Sequence, residues 1–147
     1  MAETGRSRET ALSGRDRLVT AALALGLLVL LAAAALLRPD PRGLGTHQQF
    51  GLPPCTFRFL FGRRCPSCGM TTSWACLVRG ELLDAFRANV GGTLLAALAL
   101  VGVPWLAGSA ARGRWLVWAP NSLTAAWVGS VILLVTLIDW AVRLAAG

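Results

Sequence analysis

The sequence predicts an all-α integral membrane protein, with three transmembrane helices and a cysteine-bearing, partly helical interfacial loop between the first and second. Two observations carry this reading. Apolar residues make up 55% of the chain, and they are gathered into three long uncharged runs rather than spread at helical or strand period. All four cysteines, Cys55, Cys65, Cys68 and Cys76, fall in the polar stretch between the first two runs.

Residues 1–17 set Arg6, Arg8, Arg15 and Arg17 against Glu3, Glu9 and Asp16, the composition of a disordered polar tail. Residues 18–147 then read as a single three-span membrane domain. The first span, 18–37, is uncharged and rich in Leu and Ala; at about 1.5 Å per residue it reaches about 30 Å, one hydrocarbon thickness. A signal peptide competes for this segment, but signal cores run to only about 7–15 residues, which favours an uncleaved anchor. The second span has its apolar heart at 90–107, with Pro104 near its end, where a lost backbone hydrogen bond is most easily made good. The third, 119–138, is interrupted early by Pro120 and Asn121, so its regular helix is expected to begin at the proline.

Trp105, Trp115, Trp118 and Trp140 fall near span ends, the headgroup level that an indole prefers, while Trp127 falls mid-span and is expected to pack between helices. Gly92 with Ala96 and Ala125 with Gly129 offer close helix approach, within the bundle or to a second copy. Asp139 and Arg143, four apart, form a self-neutralising pair at the interface.

The net charge of +7 comes from fourteen basic residues against seven acids, and every basic residue is arginine. These arginines flank the spans, so the lipid bilayer is the expected partner, with another membrane protein or a second copy beside it, and no nucleic acid. One histidine and no phosphate-binding glycine motif leave hydrolase and nucleotide-binding readings without support.

The loop, 38–87, opens on a Pro/Gly-rich connector that cannot continue a helix. From Cys55 to Phe61 the apolar pattern fits a strand or a helix equally, with Arg58, Arg63 and Arg64 toward water. The centre is Cys65-Pro66-Ser67-Cys68-Gly69. Two cysteines so spaced can chelate one metal from a tight turn, and the glycine lets backbone N–H groups approach sulfur. The same spacing at a helix start is also a redox dithiol arrangement, with Cys65 as attacking thiol, Cys68 resolving and Cys55 as relay. A helix over 70–78, capped by Thr71 or Thr72, would follow. For a metal, zinc foremost, the candidate ligands are Cys55, Cys65 and Cys68 with His47 or Cys76 as the fourth. Residues 81–87 then form an amphipathic lead-in to the second span.

The order Cys55, Gly62, Cys65-Pro66, Cys68-Gly69, Thr71, Gly80, Asn89 resembles that of a bacterial membrane family known as domain-of-unknown-function family 2752. This chain departs from the pattern at Thr72 and Val90, where the family usually has Arg and Pro, and Cys76 lies outside the pattern. The resemblance implies a bacterial cytoplasmic (inner) membrane protein, sets Cys55, Cys65 and Cys68 as the essential cysteines, and implies no established activity. Three readings therefore stand: a structural cysteine motif tied by metal or disulfide, a membrane thiol–disulfide oxidoreductase, and a docking scaffold. An enzyme is the less favoured class. For sidedness, six arginines on the side of the N-terminus face eight on the side of the loop. First-span dominance and charge density favour a cytoplasmic N-terminus and an extracytoplasmic cysteine loop.

Overall fold

A computed structural model of the chain describes residues 11–145. The first ten residues of the expected tail, with Arg6 and Arg8, lie outside the described residues. Three long helices cross the molecule: α1 (Gly14–Leu36), α5 (Val90–Arg112) and α6 (Ser122–Ala145). Each is long and apolar enough to cross a membrane. Between α1 and α5 lie a short 3-10 turn, Thr46–Phe50, and three short helices, α2 (Thr56–Phe61), α3 (Met70–Leu77) and α4 (Leu82–Ala88). Among the described residues there is no strand, only an isolated bridge between Ala11 and Arg114.

Polar side chains set where each long helix begins. At the start of α1 the Ser13 hydroxyl accepts from the Asp16 N–H at 3.2 Å, which draws Gly14 to Arg17 into the helix. Asn89 starts α5 by accepting from the Gly92 N–H at 2.7 Å. Asn121 accepts from the Thr124 N–H at 2.7 Å, so α6 begins at Ser122, after the proline, rather than at it.

α1 and α5 make the most extensive helix pair. Their seam is lined by small or slender residues, among them Ala24, Ala34, Ala96 and Ala99, all buried, which lets the two backbones approach. At one end of the pair Arg17 donates to the Ala111 carbonyl at 3.1 Å and the Leu12 N–H to the Gly113 carbonyl at 2.9 Å. The N-terminal end of α1 thus shares a face of the bundle with the Arg112–Arg114 turn, and the cysteine loop gathers at the opposite face. α6 is peripheral, with Thr136 its only buried residue among those described. Thr136 lies where a Cβ on Gly91 would overlap it, so the contact depends on that glycine.

Two expectations change here. Trp127 is 66% exposed: it lines an open apolar groove with Leu94, Leu98 and Val101 of α5 rather than being packed between the helices. Ala125 and Gly129 are exposed as well, so of the two small-residue pairs only Gly92 with Ala96 packs inside the bundle. Trp105, for its part, clusters with Trp115 and Trp118 at centroid distances of 5.4 Å each, closing the turn between α5 and α6.

α3 enters the bundle beside α1 and α5. Just beyond its end Arg79 donates to the carbonyl of Ala75 at 2.7 Å and to those of Ala35 and Ala34 at 2.8 and 3.4 Å. The last two belong to the C-terminal turn of α1, whose carbonyls have no partner within the helix. Arg79→Ala should lower stability by about 1–2 kcal/mol, since hydrogen bonds from a charged donor are lost but solvent reaches the guanidinium. Thermal unfolding of the detergent-solubilised protein measures it, and an unchanged midpoint would show that the cap contributes nothing.

A candidate metal centre in the loop

Three segments of the loop bring their sulfurs together. Cys55 stands at the N-cap of α2, Cys65 opens the tight turn before α3, and Cys68 closes it. Cys65 Sγ lies 3.1 Å from Cys68 Sγ and 3.5 Å from Cys55 Sγ, and all three sulfurs fall within 4.8 Å of one another. The turn itself is held by the Cys68 N–H donating to the Cys65 carbonyl at 3.0 Å and by the Cys65 N–H donating to Cys68 Sγ at 3.3 Å. α2 resolves the ambiguous apolar pattern as helix, since Phe57 and Phe61, one turn apart, stack at 4.7 Å.

Behind the turn stands Asn89, 1% exposed. Its amide donates to the carbonyls of Pro66 at 3.0 Å and Cys68 at 3.2 Å, while its oxygen caps α5. All the strong groups of that side chain are thereby used, as a buried amide requires. Gly69, with φ +90°, lies so close to the Ala88 and Gly43 carbonyl oxygens that a Cβ would overlap both. Only glycine satisfies the positive φ and the close approach together.

The thiols differ in their surroundings. Backbone N–H groups at the start of α2, that of Arg58 foremost, hold the Cys55 thiol below its ordinary range. Burial, then the two neighbouring sulfurs, push Cys65 up to about 12. The helix after the motif therefore does not activate Cys65: α3 begins at Met70, beyond Gly69, and the crowding of sulfurs around Cys65 opposes a further negative charge.

The other candidate ligands separate. His47 lines the same cleft, of about 280 Å³, as the three cysteines. Its Nε2 faces the Pro53 carbonyl at 3.3 Å, a contact in which the ring nitrogen is the donor. Cys76 is buried on α3 and lines a different cavity, beside Glu81 and Asp84. There burial, then the Glu81 carboxylate, push its thiol up to about 11. Thr72, expected as a cap, is instead buried and hydrogen-bonded to Thr46 Oγ1 at 2.8 Å, tying α3 to the 3-10 turn that carries His47.

Sequence reasoning did not foresee the docking of α6 under this loop. Arg143 pairs with Asp139 at 2.7 Å and donates to the Ala88 carbonyl at 2.6 Å, and the Trp140 indole N–H donates to the Arg64 carbonyl at 2.7 Å. The four-residue spacing of Asp139 and Arg143 indicated a pair, but nothing in it indicated that the pair would reach another helix.

A family model described as Protein of unknown function (DUF2752) matches residues 55–103. This is the family whose cysteine pattern the motif resembles, and the match spans the cysteine centre and the first half of α5. Neither a curated protein nor a solved structure matches the chain.

Gly69 and Gly80 separate strain from crowding, because both have positive φ but nothing lies within 4 Å of a Cβ at Gly80. Gly80→Ala should cost about 1–2 kcal/mol for the left-handed backbone alone. Gly69→Ala should cost about 1–3 kcal/mol more from overpacking. Unfolding midpoints of the two variants in the same detergent make the comparison, and equal losses would mean that the approach of Gly69 to Ala88 is not tight.

Proposed function

We propose that this multi-pass membrane protein uses Cys55, Cys65 and Cys68 to bind one zinc ion, and that the ion is structural, fixing the loop against the bundle. The convergence of three sulfurs from separate segments is the observation that carries the reading. A disulfide would consume two of them and leave the third without a role. A tetrahedral zinc thiolate site has Zn–S bonds of about 2.3 Å, which puts its sulfurs about 3.8 Å apart. The separations of 3.1 and 3.5 Å fall somewhat short of that edge and the third pair lies within 4.8 Å, so small side-chain shifts would open the three sulfurs around an ion. Free thiols so close gain little from one another, whereas a divalent cation would offset the repulsion between thiolates.

The fourth position would fall to His47 Nδ1 or to water. A bond from Nε2 to the Pro53 carbonyl is the kind of contact that orients a ligating imidazole. Cys76 is set aside by its separate cavity. Burial and the neighbouring sulfurs oppose ionisation of Cys65, which disfavours it as the attacking thiol of a dithiol exchange. The α2 segment behind Cys55 has no buried residue of its own, so a metal cross-link is the stabilisation it calls for.

The membrane is read as a bacterial inner membrane, with a cytoplasmic N-terminus and an extracytoplasmic cysteine loop. The N-terminal end of α1 shares its face of the bundle with Arg112 and Arg114. Eight arginines lie on the loop side against six on the other, so the orientation rests on the first span and on the density of charge in the N-terminal tail and the short Arg112–Arg114 turn.

Elemental analysis of the purified protein should find zinc near one atom per chain, with the three thiols becoming alkylatable only after chelation. Cys55→Ser, Cys65→Ser and Cys68→Ser should each lower recovered protein and zinc together, while Cys76→Ser keeps the zinc. Protein free of metal, with two fewer alkylatable thiols, would replace the zinc reading with a disulfide. For sidedness, alkaline phosphatase fused after Gly147 should be active in intact cells; a silent phosphatase paired with a fluorescent cytoplasmic reporter at the same position reverses the orientation.

A further inference from the structure

Next to the cysteine centre, on the membrane side of the loop, lies a second cleft that the structural zinc reading does not use. Arg58, Arg63 and Arg64 line one wall and Trp140 and Arg143 the other, around a volume of about 210 Å³. Water occupies about 30 Å³ per molecule in the liquid, so the space holds a tetrahedral oxyanion and the first atoms attached to it. Arg143 is already neutralised by Asp139. Among the described residues, Arg58, Arg63 and Arg64 form no salt bridge, and Arg64 reaches only the Arg42 carbonyl, at 3.4 Å. The cleft thus carries three uncompensated guanidinium groups, the side chain best suited to a phosphate by its planar fork of donors.

The cleft is also built, not merely charged. Gly62, with φ +67°, ends α2 and turns the chain so that Arg63 and Arg64 face α6. The Trp140 indole bond to the Arg64 carbonyl, at 2.7 Å, pins that turn, and Phe57 meets the Trp140 ring edge-on at 6.5 Å. On the outer side of the same turn α2 exposes Phe59, Leu60 and Phe61, at 83%, 66% and 64%. Three consecutive large apolar side chains are thus left exposed beside three arginines, at the end of a membrane helix and next to a tryptophan. That combination suits a helix lying in the headgroup region with its apolar residues among acyl chains.

We infer that this cleft binds the phosphate of an anionic phospholipid in the leaflet on the side of the cysteine loop. The arginines receive the phosphate, and Phe59, Leu60 and Phe61 lie against the acyl chains of that lipid or its neighbours. A free phosphate ion shares the arginine chemistry but has nothing to place against the exposed aromatic face, which favours the lipid as the source.

The test compares lipids on the full-length protein by native mass spectrometry from detergent micelles. Dioleoyl phosphatidylglycerol should be retained in preference to dioleoyl phosphatidylcholine. Arg63→Gln with Arg64→Gln should reduce that preference, by about fivefold for each arginine removed. Arg58 is left in place because it also borders the cysteine cleft, so zinc content should stay at the wild-type level and the result is independent of the metal reading. Arg112→Gln with Arg114→Gln removes the same charge at the opposite face and should leave the preference unchanged. If the double variant at 63 and 64 is not monodisperse, Arg63→Gln alone is measured, with the single-arginine loss expected. Equal retention of the two lipids, an equal loss in the Arg112 and Arg114 variant, or complete displacement of phosphatidylglycerol by inorganic phosphate would each overturn the inference.

Discussion

A buried amide must satisfy its donors and its acceptor at once, and in this molecule that requirement falls on Asn89. Its N–H groups take the carbonyls of Pro66 and Cys68, and its oxygen takes the first turn of α5. An apolar residue in its place would leave two turn carbonyls and one helix N–H unpaired in a region that water does not reach, where each such group costs about 1–3 kcal/mol. The amide therefore couples the cysteine turn to the start of a membrane helix. Gly69 allows the coupling, because the turn must press against the Ala88 and Gly43 carbonyls to come within reach of Asn89. Glycines 91 and 92 continue the same logic: Gly91 admits Thr136 of α6, and Gly92 admits Ser73 and Met70 of α3.

From that junction the rest of the loop is held by charged side chains spent on backbone carbonyls. Arg79 covers the open carbonyls at the end of α1, and Arg143 covers the carbonyl of Ala88 at the end of α4. Helix ends near a bilayer must find partners for these groups, since the hydrocarbon offers none. Arginine suits the task because its guanidinium reaches several oxygens from one stem. Arg143 can be half-buried in this way only because Asp139, one turn earlier, compensates its charge. The acid adds a weak contact of its own, accepting from the Val90 N–H at 3.4 Å at the N-terminus of α5, where the helix dipole favours negative charge.

The cysteine centre follows from the same geometry. Backbone donors at the start of α2 draw charge onto Cys55, while burial keeps it from Cys65. Three sulfurs of such different tendencies converge on one point, and a metal cross-link is the reading that gives all three a role. A divalent cation removes the conflict, since coordination deprotonates every ligand irrespective of its separate tendency. On this view the loop is a rigid platform at the membrane surface, and its arginine cleft beside α6 is where the platform meets the lipid.

The sequence by itself determined the three apolar helices, their connection through a cysteine loop, and the grouping of Cys55, Cys65 and Cys68 through the resemblance of their pattern. Hydrocarbon demands long uncharged runs, and chelation demands close spacing, so both leave a mark that can be read along the chain. Pro120 and Asn121 likewise marked the start of the third helix to within two residues, because a proline and a capping amide act locally. Only the tertiary structure decided that His47 shares the cleft with the cysteines while Cys76 does not, that Trp127 stays exposed on an open groove, and that Arg79, Trp140 and Arg143 tie distant helices to the loop. Those outcomes depend on how each helix is rotated about its axis. In a soluble protein the rotation is written as an apolar stripe, but beside lipid the outward face is as apolar as the inward one, and runs of Leu and Ala carry no such stripe. The rotation is set instead by close contact at Gly91 and Gly92 and by the buried amide of Asn89, which become informative only once the helices are side by side.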